Sequence, residues 1–145
     1  MCEDSLIKGS KNRRRNPSVL IQYKNKNILI DCGNITGFIC LRLQGKTFRE
    51  AMIDVIDAYK ITTLDAVVIT HGHSDAFLGL DDLREFTEKL TVPVYIRKSD
   101  VPIISNCFPY LFDTRKATGS GYVSKINFVE FDEEAPFDVL GMSFI

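Results

Sequence analysis

Hydrophobic and polar positions along this chain switch between two periods, and the switching predicts its elements. Ser18–Tyr23 (SVLIQY) and Ile28–Asp31 (ILID) flank the polar stretch Lys24-Asn25-Lys26-Asn27, the pattern of a β-hairpin. Phe48–Tyr59 has helical spacing, with Met52, Val55, Ile56 and Tyr59 on one face and Phe48 and Ala51 beside them. Thr47 and Glu50 supply a T-x-x-E capping box for that helix. Ala66–Thr70 (AVVIT) is an unbroken apolar and β-branched run, the mark of a strand buried on both faces. A second capping box, Asp82 and Glu85, opens a helix whose expected buried stripe is Leu83, Phe86 and Leu90.

Further along, Val94–Ile96 predicts a strand, and residues 100–112 a short helix that Pro109 interrupts. Thr118–Gly121 reads as a flexible loop. Ser124–Phe131 is a strand of ambiguous face, because Val123, Ile126, Phe128 and Phe131 do not keep one phase. Asp132–Pro136 turns the chain into a strand over Phe137–Leu140. Gly141–Ile145 is apolar and β-like, with no polar tail after it, and is expected to mark a truncation or to pair with something outside the chain. Helices alternating with inner strands make the fold class α/β.

The densest chemistry follows the Ala66–Thr70 run at once: His71, His73 and Asp75, with both of the chain's histidines in this one cluster. Open α/β sheets place their sites just beyond the carboxyl ends of strands. Imidazole nitrogens and carboxylate oxygens bind Zn²⁺ at about 2.0–2.2 Å. On an extended backbone the i, i+2, i+4 spacing puts the three donors on one side, and Gly72 keeps a helix from starting early. His71 and His73 are then expected to hold one metal, with Asp75 facing away enough to serve a second or to orient a water. Catalytic zinc takes three protein ligands and an open position, so Asp31, Asp81, Asp82 and Cys32 are the candidate substitutes for a third histidine.

Each of these residues also has a plainer reading. A lone histidine at a strand end is ordinarily a cap or a solvated residue, which explains a single one better than this spaced set. Asp31 sits at a strand end before a glycine turn, where aspartate more often accepts turn hydrogen bonds than does chemistry. Asp81 and Asp82 read as first-turn helix residues with Arg84 as a local ion-pair partner, and Thr70 as the end of its strand.

Composition narrows the function classes. At 145 residues the chain fits one domain, divided into a flexible basic arm over residues 1–16 and a folded part over 17–145. A net charge of -1 gives no global attraction to nucleic acid or membrane. Local charge is uneven: Lys8, Lys11, Arg13, Arg14 and Arg15 crowd one end, and Glu130, Asp132, Glu133, Glu134 and Asp138 the other. Cys2, Cys32, Cys40 and Cys107 are scattered without a CxxC, which favours a reducing, cytoplasmic setting over a disulfide scaffold. Cys32 and Cys107 lie in apolar surroundings and are expected to be inert core residues. No stretch is long and apolar enough for a membrane span.

The same residues carry a resemblance. THGHSDAFLGLDDLR resembles the H-x-H-x-D signature of the metallo-β-lactamase superfamily, in the variant with a downstream GLDDLR described as phosphoribosyl cyclic-phosphodiesterase-like. Gly9–Ser18, Ile28–Gly33 (ILIDCG), Lys46–Glu50 (KTFRE) and Phe108–Phe112 (FPYLF) resemble other segments of that subgroup in the same order. The resemblance implies the N-terminal and central portion of an αββα sandwich, mostly one sheet with flanking helices. It implies metal-dependent hydrolysis of a small phosphodiester or cyclic phosphate, through a metal-bound hydroxide. The implied metal is Zn²⁺, one or two ions, with Mn²⁺ as the alternative; His71 and His73 hold the first, Asp75 holds the second and orients the nucleophile, and Asp31 supports the site. Where most members carry a ligand histidine after the aspartate, this chain has Ala76, and the family's remaining ligands belong to a later half of the fold. The 145 residues alone are therefore expected to be inactive or weakly active.

Two other classes compete. One is a non-catalytic truncated domain that buries an apolar sheet face as a homo-oligomer or against a protein partner. The other is nucleic-acid processing or binding through Arg13-Arg14-Arg15, a short basic run without interleaved aromatics.

Overall fold

The computed structural model describes residues 18–33, 58–88, 90–119 and 121–145. Within them a five-stranded sheet runs in the order β1-β2-β3-β4-β5, comprising Val19–Tyr23, Lys26–Ile30, Ala66–Val68, Val92–Arg97 and Ile126–Phe131. β1 pairs antiparallel with β2; all later pairs are parallel. The expected hairpin is present, with its turn at Lys24-Asn25, both at positive φ (47° and 61°). That is the two-residue turn whose twist matches the flanking strands. Pro93 lies inside β4 without breaking a ladder, because β3 pairs only with Val94 and Tyr95.

Both faces of the sheet are apolar, which explains the unbroken runs. Leu29, Val67, Val92, Val94 and Ile96 point to a large core shared with Ala76, Phe77, Leu80, Leu83 and Ile104. Ile28, Ala66 and Val68 point the other way, onto Val139, Phe137 and Phe144. β5 serves both sides, which accounts for its mixed phase: Ile126 and Phe128 pack on the large core, and Phe131 stacks on Phe137 with ring centroids 4.0 Å apart.

Short helices fill the connections. α1 is Ser74–Phe77; a 3-10 turn over Leu80–Leu83 leads into α2, Arg84–Thr87. α3 is Val101–Cys107 and α4 is Pro109–Phe112, so the break at Pro109 falls where expected, with the proline opening the next helix.

Several expectations are corrected. α2 begins at Arg84 with Leu83 as its N-cap, one residue later than a helix capped by Asp82, which instead lies in the preceding 3-10 turn. Leu90 is 64% exposed and outside the stripe, because the helix ends at Thr87. Cys107 is exposed at the end of α3, whereas Cys32 is buried. The final apolar run is the second strand of a hairpin: β7 (Met142–Phe144) pairs antiparallel with β6 (Phe137–Val139) around a turn at Leu140-Gly141, both at positive φ.

The Phe48–Tyr59 helix lies mostly outside the described residues. Its last two, Ala58 and Tyr59, are helical, and Tyr59 is exposed rather than on a buried face. The basic arm and Arg13-Arg14-Arg15 also lie outside. Among the described residues no helix is long and apolar enough to cross a membrane.

Candidate metal centre

The loop after β3 begins where the sheet ends. Ile69 still donates its N–H to the Tyr95 carbonyl at 2.9 Å, after which the chain leaves the ladder. His71 is half-buried and His73 exposed, with ring centroids 4.7 Å apart and planes nearly perpendicular. One ligand atom from each of His71, His73 and Asp75 lies within 4.8 Å of the others, and this is the one such group among the described residues.

Asp75 does not face away from the histidines. Its Oδ1 lies 3.6 Å from Nε2 of His71. The cause is local: His73 is extended (φ -92°, ψ 154°) and is the N-cap of α1, so the helical turn carries Asp75 back toward His71. Two donors bound to one tetrahedral zinc stand about 3.3–3.4 Å apart, given bond lengths of about 2.0–2.1 Å. The separation of 3.6 Å and the two-imidazole, one-carboxylate donor set therefore fit a divalent ion.

The loop is held from below by the segment after β2. Cys32 donates its N–H to the Ala76 carbonyl at 2.7 Å, and Gly79 donates to the Cys32 carbonyl at 2.6 Å. Asp31 sits at positive φ (59°), a conformation aspartate tolerates better than most residues. Its buried carboxylate accepts from the Thr70 N–H through Oδ1 and from the Thr70 hydroxyl through Oδ2, both at 2.8 Å. The Thr70 oxygen is also 2.9 Å from Nδ1 of His71. A threonine hydroxyl has one proton. Because that proton goes to Asp31, Nδ1 of His71 is the donor in the second bond, and in the neutral ring the lone pair is then on Nε2, the atom facing Asp75.

The sequence by itself marks Thr70 only as the end of a strand. The signal for its role is a hydroxyl between a strand and the first histidine, together with an aspartate at the end of the neighbouring parallel strand.

The other candidate ligands stay apart from the cluster. Asp81 binds the Arg84 guanidinium, the local pair expected for it, and its carbonyl accepts from Ser124 Oγ at 2.9 Å. Burial pushes the Cys32 thiol well above its usual pKa, and the Asp31 and Asp82 charges add to the rise, so it stays a protonated core residue. Asp31 acts on Thr70 and not on the donor point, and Asp82 is not in the group. A cleft of about 190 Å³ lined by Asp81, Arg84, Tyr110 and Tyr122 includes none of the three donors. Its volume falls below the roughly 300–1,000 Å³ usual for small-molecule sites.

Residues 26–144 match the model of the beta-lactamase superfamily domain. The chain belongs to that superfamily. Its fold is similar to a diphosphatase from the PhnP family, with a TM-score of 0.68, 24% identity, and coverage of 100% of this chain and 48% of the other. It is also similar to the metallo-beta-lactamase fold protein YhfI from Bacillus subtilis, with a TM-score of 0.57, 19% identity, and coverage of 91% and 44%. The α/β organisation is therefore that of part of the metallo-β-lactamase fold. An octanoyltransferase of Porphyromonas gingivalis is 29% identical over 132 residues, which are 90% of this chain and 23% of that protein. The chain thus spans under a quarter of that curated relative and just under half of each solved structure.

Proposed function

We propose that this domain contributes the first metal-binding loop of a metal-dependent hydrolase acting on phosphodiesters, with His71, His73 and Asp75 as the protein ligands. The observation that carries the reading is the convergence of the three donor atoms within 4.8 Å at the end of β3, backed by the Asp31–Thr70 relay that leaves Nε2 of His71 as the donor. Two imidazoles favour Zn²⁺, one or two ions, and Mn²⁺ is the alternative where oxygen ligands dominate. A divalent ion held there supplies an acidified water and offsets charge on phosphoryl oxygens. His71 and His73 bind and orient; Asp75, half exposed at 48%, is placed to bind and to hold a water by its proton. Asp31 supports the loop through Thr70.

The diphosphatase named among the structural neighbours supports a substrate attacked at phosphorus. The acyl-transfer name of the octanoyltransferase does not bear on this segment, since the shared part is 23% of that protein.

Zinc stoichiometry by dialysis and metal analysis, with turnover of bis(p-nitrophenyl) phosphate, tests the reading. Zinc bound by the chain and weak turnover abolished by a chelator and by His73→Ala are expected. No zinc retention by the folded chain would remove the metal site. Metal-dependent turnover of p-nitrophenyl acetate but not of the phosphodiester would replace the substrate class.

A further inference from the structure

Gly72 separates the two histidines, and the space where a side chain would stand is already occupied. A Cβ built on Gly72 would lie 2.6 Å from Oδ1 of Asp100, 3.0 Å from its Cγ and 3.3 Å from its Cβ. Contacts that close are repulsive, so either the loop or Asp100 would have to move.

Asp100 has little room to move. It is 6% exposed and lies in the single 3-10 turn, Lys98–Asp100, that joins β4 to α3. Its Oδ2 accepts from Nε of Arg97 at 2.6 Å. Arg97 is held in turn by Glu133, 3.4 Å from Nη1, and Glu133 also accepts from the Ser99 hydroxyl. The carboxylate is pinned on its far side, while Oδ1 lies against Gly72 and takes no hydrogen bond among the described residues. Asp100 is not part of the donor group.

The geometry points to Asp100, clamped by Arg97, as a positioning residue that sets where the His71–His73 backbone lies and so requires glycine between the histidines. This rests on the metal-binding reading for its consequence, but the contact itself exists without a metal. Loops bearing metal ligands are only as well placed as what packs behind them, and partners one step removed from the ion change metal affinity by roughly 10–100-fold.

Zinc affinity is measured by competition with a chromophoric chelator, and the metal-free loop is followed by thermal melting and by the amide resonances of residues 70–75. Gly72→Ala is expected to weaken zinc binding roughly 10–100-fold, and Asp100→Ala about 10-fold. Asp100→Asn keeps the shape and is expected to stay near wild type. The decisive variant is Gly72→Ala with Asp100→Ala: the space left by the carboxylate accepts the new methyl, so the double variant binds zinc more tightly than Gly72→Ala alone. Its metal-free melting midpoint also rises above that of Gly72→Ala.

Losses that simply multiply, as for independent sites, overturn the proposal, and so does a Gly72→Ala variant with unchanged affinity and loop resonances. Should Gly72→Ala fail to fold, folding of the double variant supports the proposal and its failure to fold overturns it. If the wild-type chain binds no zinc, the metal reading fails by itself, and the metal-free melting and resonances still decide the contact: recovery in the double variant supports it and additivity overturns it.

Discussion

Asp31 directly follows β2 and Asp75 lies in the first turn of α1, beyond the neighbouring parallel strand β3, and the structure uses the two in opposite ways. Asp31 is buried, and both of its oxygens are taken by Thr70. Asp75 is half exposed, with its Oδ1 3.6 Å from Nε2 of His71. A closed carboxylate positions backbone; an open one beside two imidazoles is available to an ion. The difference teaches that an acid beyond a strand end gets its role from what its surroundings present to it. At Asp31 that is a hydroxyl and an N–H at hydrogen-bond distance; at Asp75 it is a ring nitrogen at a separation two ligands of one ion would keep.

The largest effect that would break this contrast comes from the open side. His73→Ala is expected to lower zinc affinity by at least about 100-fold, the upper end of what removal of an outer partner costs. Loss of the zinc-dependent rise in melting temperature is the check. A variant that keeps the full rise would show that the loop does not hold the ion.

Next come changes on the closed side. Asp31→Asn keeps a side chain that tolerates positive φ but weakens the bonds from Thr70, and Thr70→Val keeps shape while removing the hydroxyl. Each is expected to cost about 1–3 kcal/mol in urea unfolding, because a buried polar group loses its partner. Each should also reduce zinc affinity roughly 10-fold through the lost tautomer control of His71. Equal affinity in Thr70→Val and wild type would detach Asp31 from the metal loop and leave it a purely structural residue.

The smallest effect sharpens the comparison with a third acid, Asp65, at the entrance to β3. Burial raises its pKa, but hydrogen bonds from Lys26 Nζ and the Asn27 N–H outweigh burial and hold it below the usual carboxylate value. A carboxylate whose folded pKa is depressed stabilises the fold fully above its unfolded pKa of about 3.9. That stabilisation is lost as pH falls through the lower folded value. With the Lys26 and Asp65 side chains 50% and 21% exposed, screening limits the gain to less than about 1 kcal/mol. Urea midpoints of wild type and Asp65→Asn should differ at pH 7 and converge well below pH 3.9; a difference that persists in acid would assign it to packing instead.

The clustering of His71, His73 and Asp75 was legible because the three sit within one short segment, and a local spacing needs no knowledge of the fold; the direction in which Asp75 turns was not. The break at Pro109 was legible for the same reason, since a proline lacks the N–H a continuing helix requires. Leu90 was misread because its helical phase is correct but the helix stops at Thr87, and phase alone carries no length. The pairing of the final strand with β6 is less legible, because only the glycine at the second position of Leu140-Gly141 hints at the positive φ of a hairpin turn.

By itself, then, the amino-acid order determined the alternation of strands and helices, the two-sided burial of the central strands, and a cluster of donors at a strand exit. Those features are set by each segment's own periodicity and residue chemistry. Only the tertiary structure decided that Asp31 closes on Thr70, that Asp75 turns back toward His71, and that Asp100 fills the space beside Gly72. The first and last of those join residues far apart in the chain, and the second depends on where a helix begins. Their outcome follows from strand register and packing, which bring together groups that no local pattern connects.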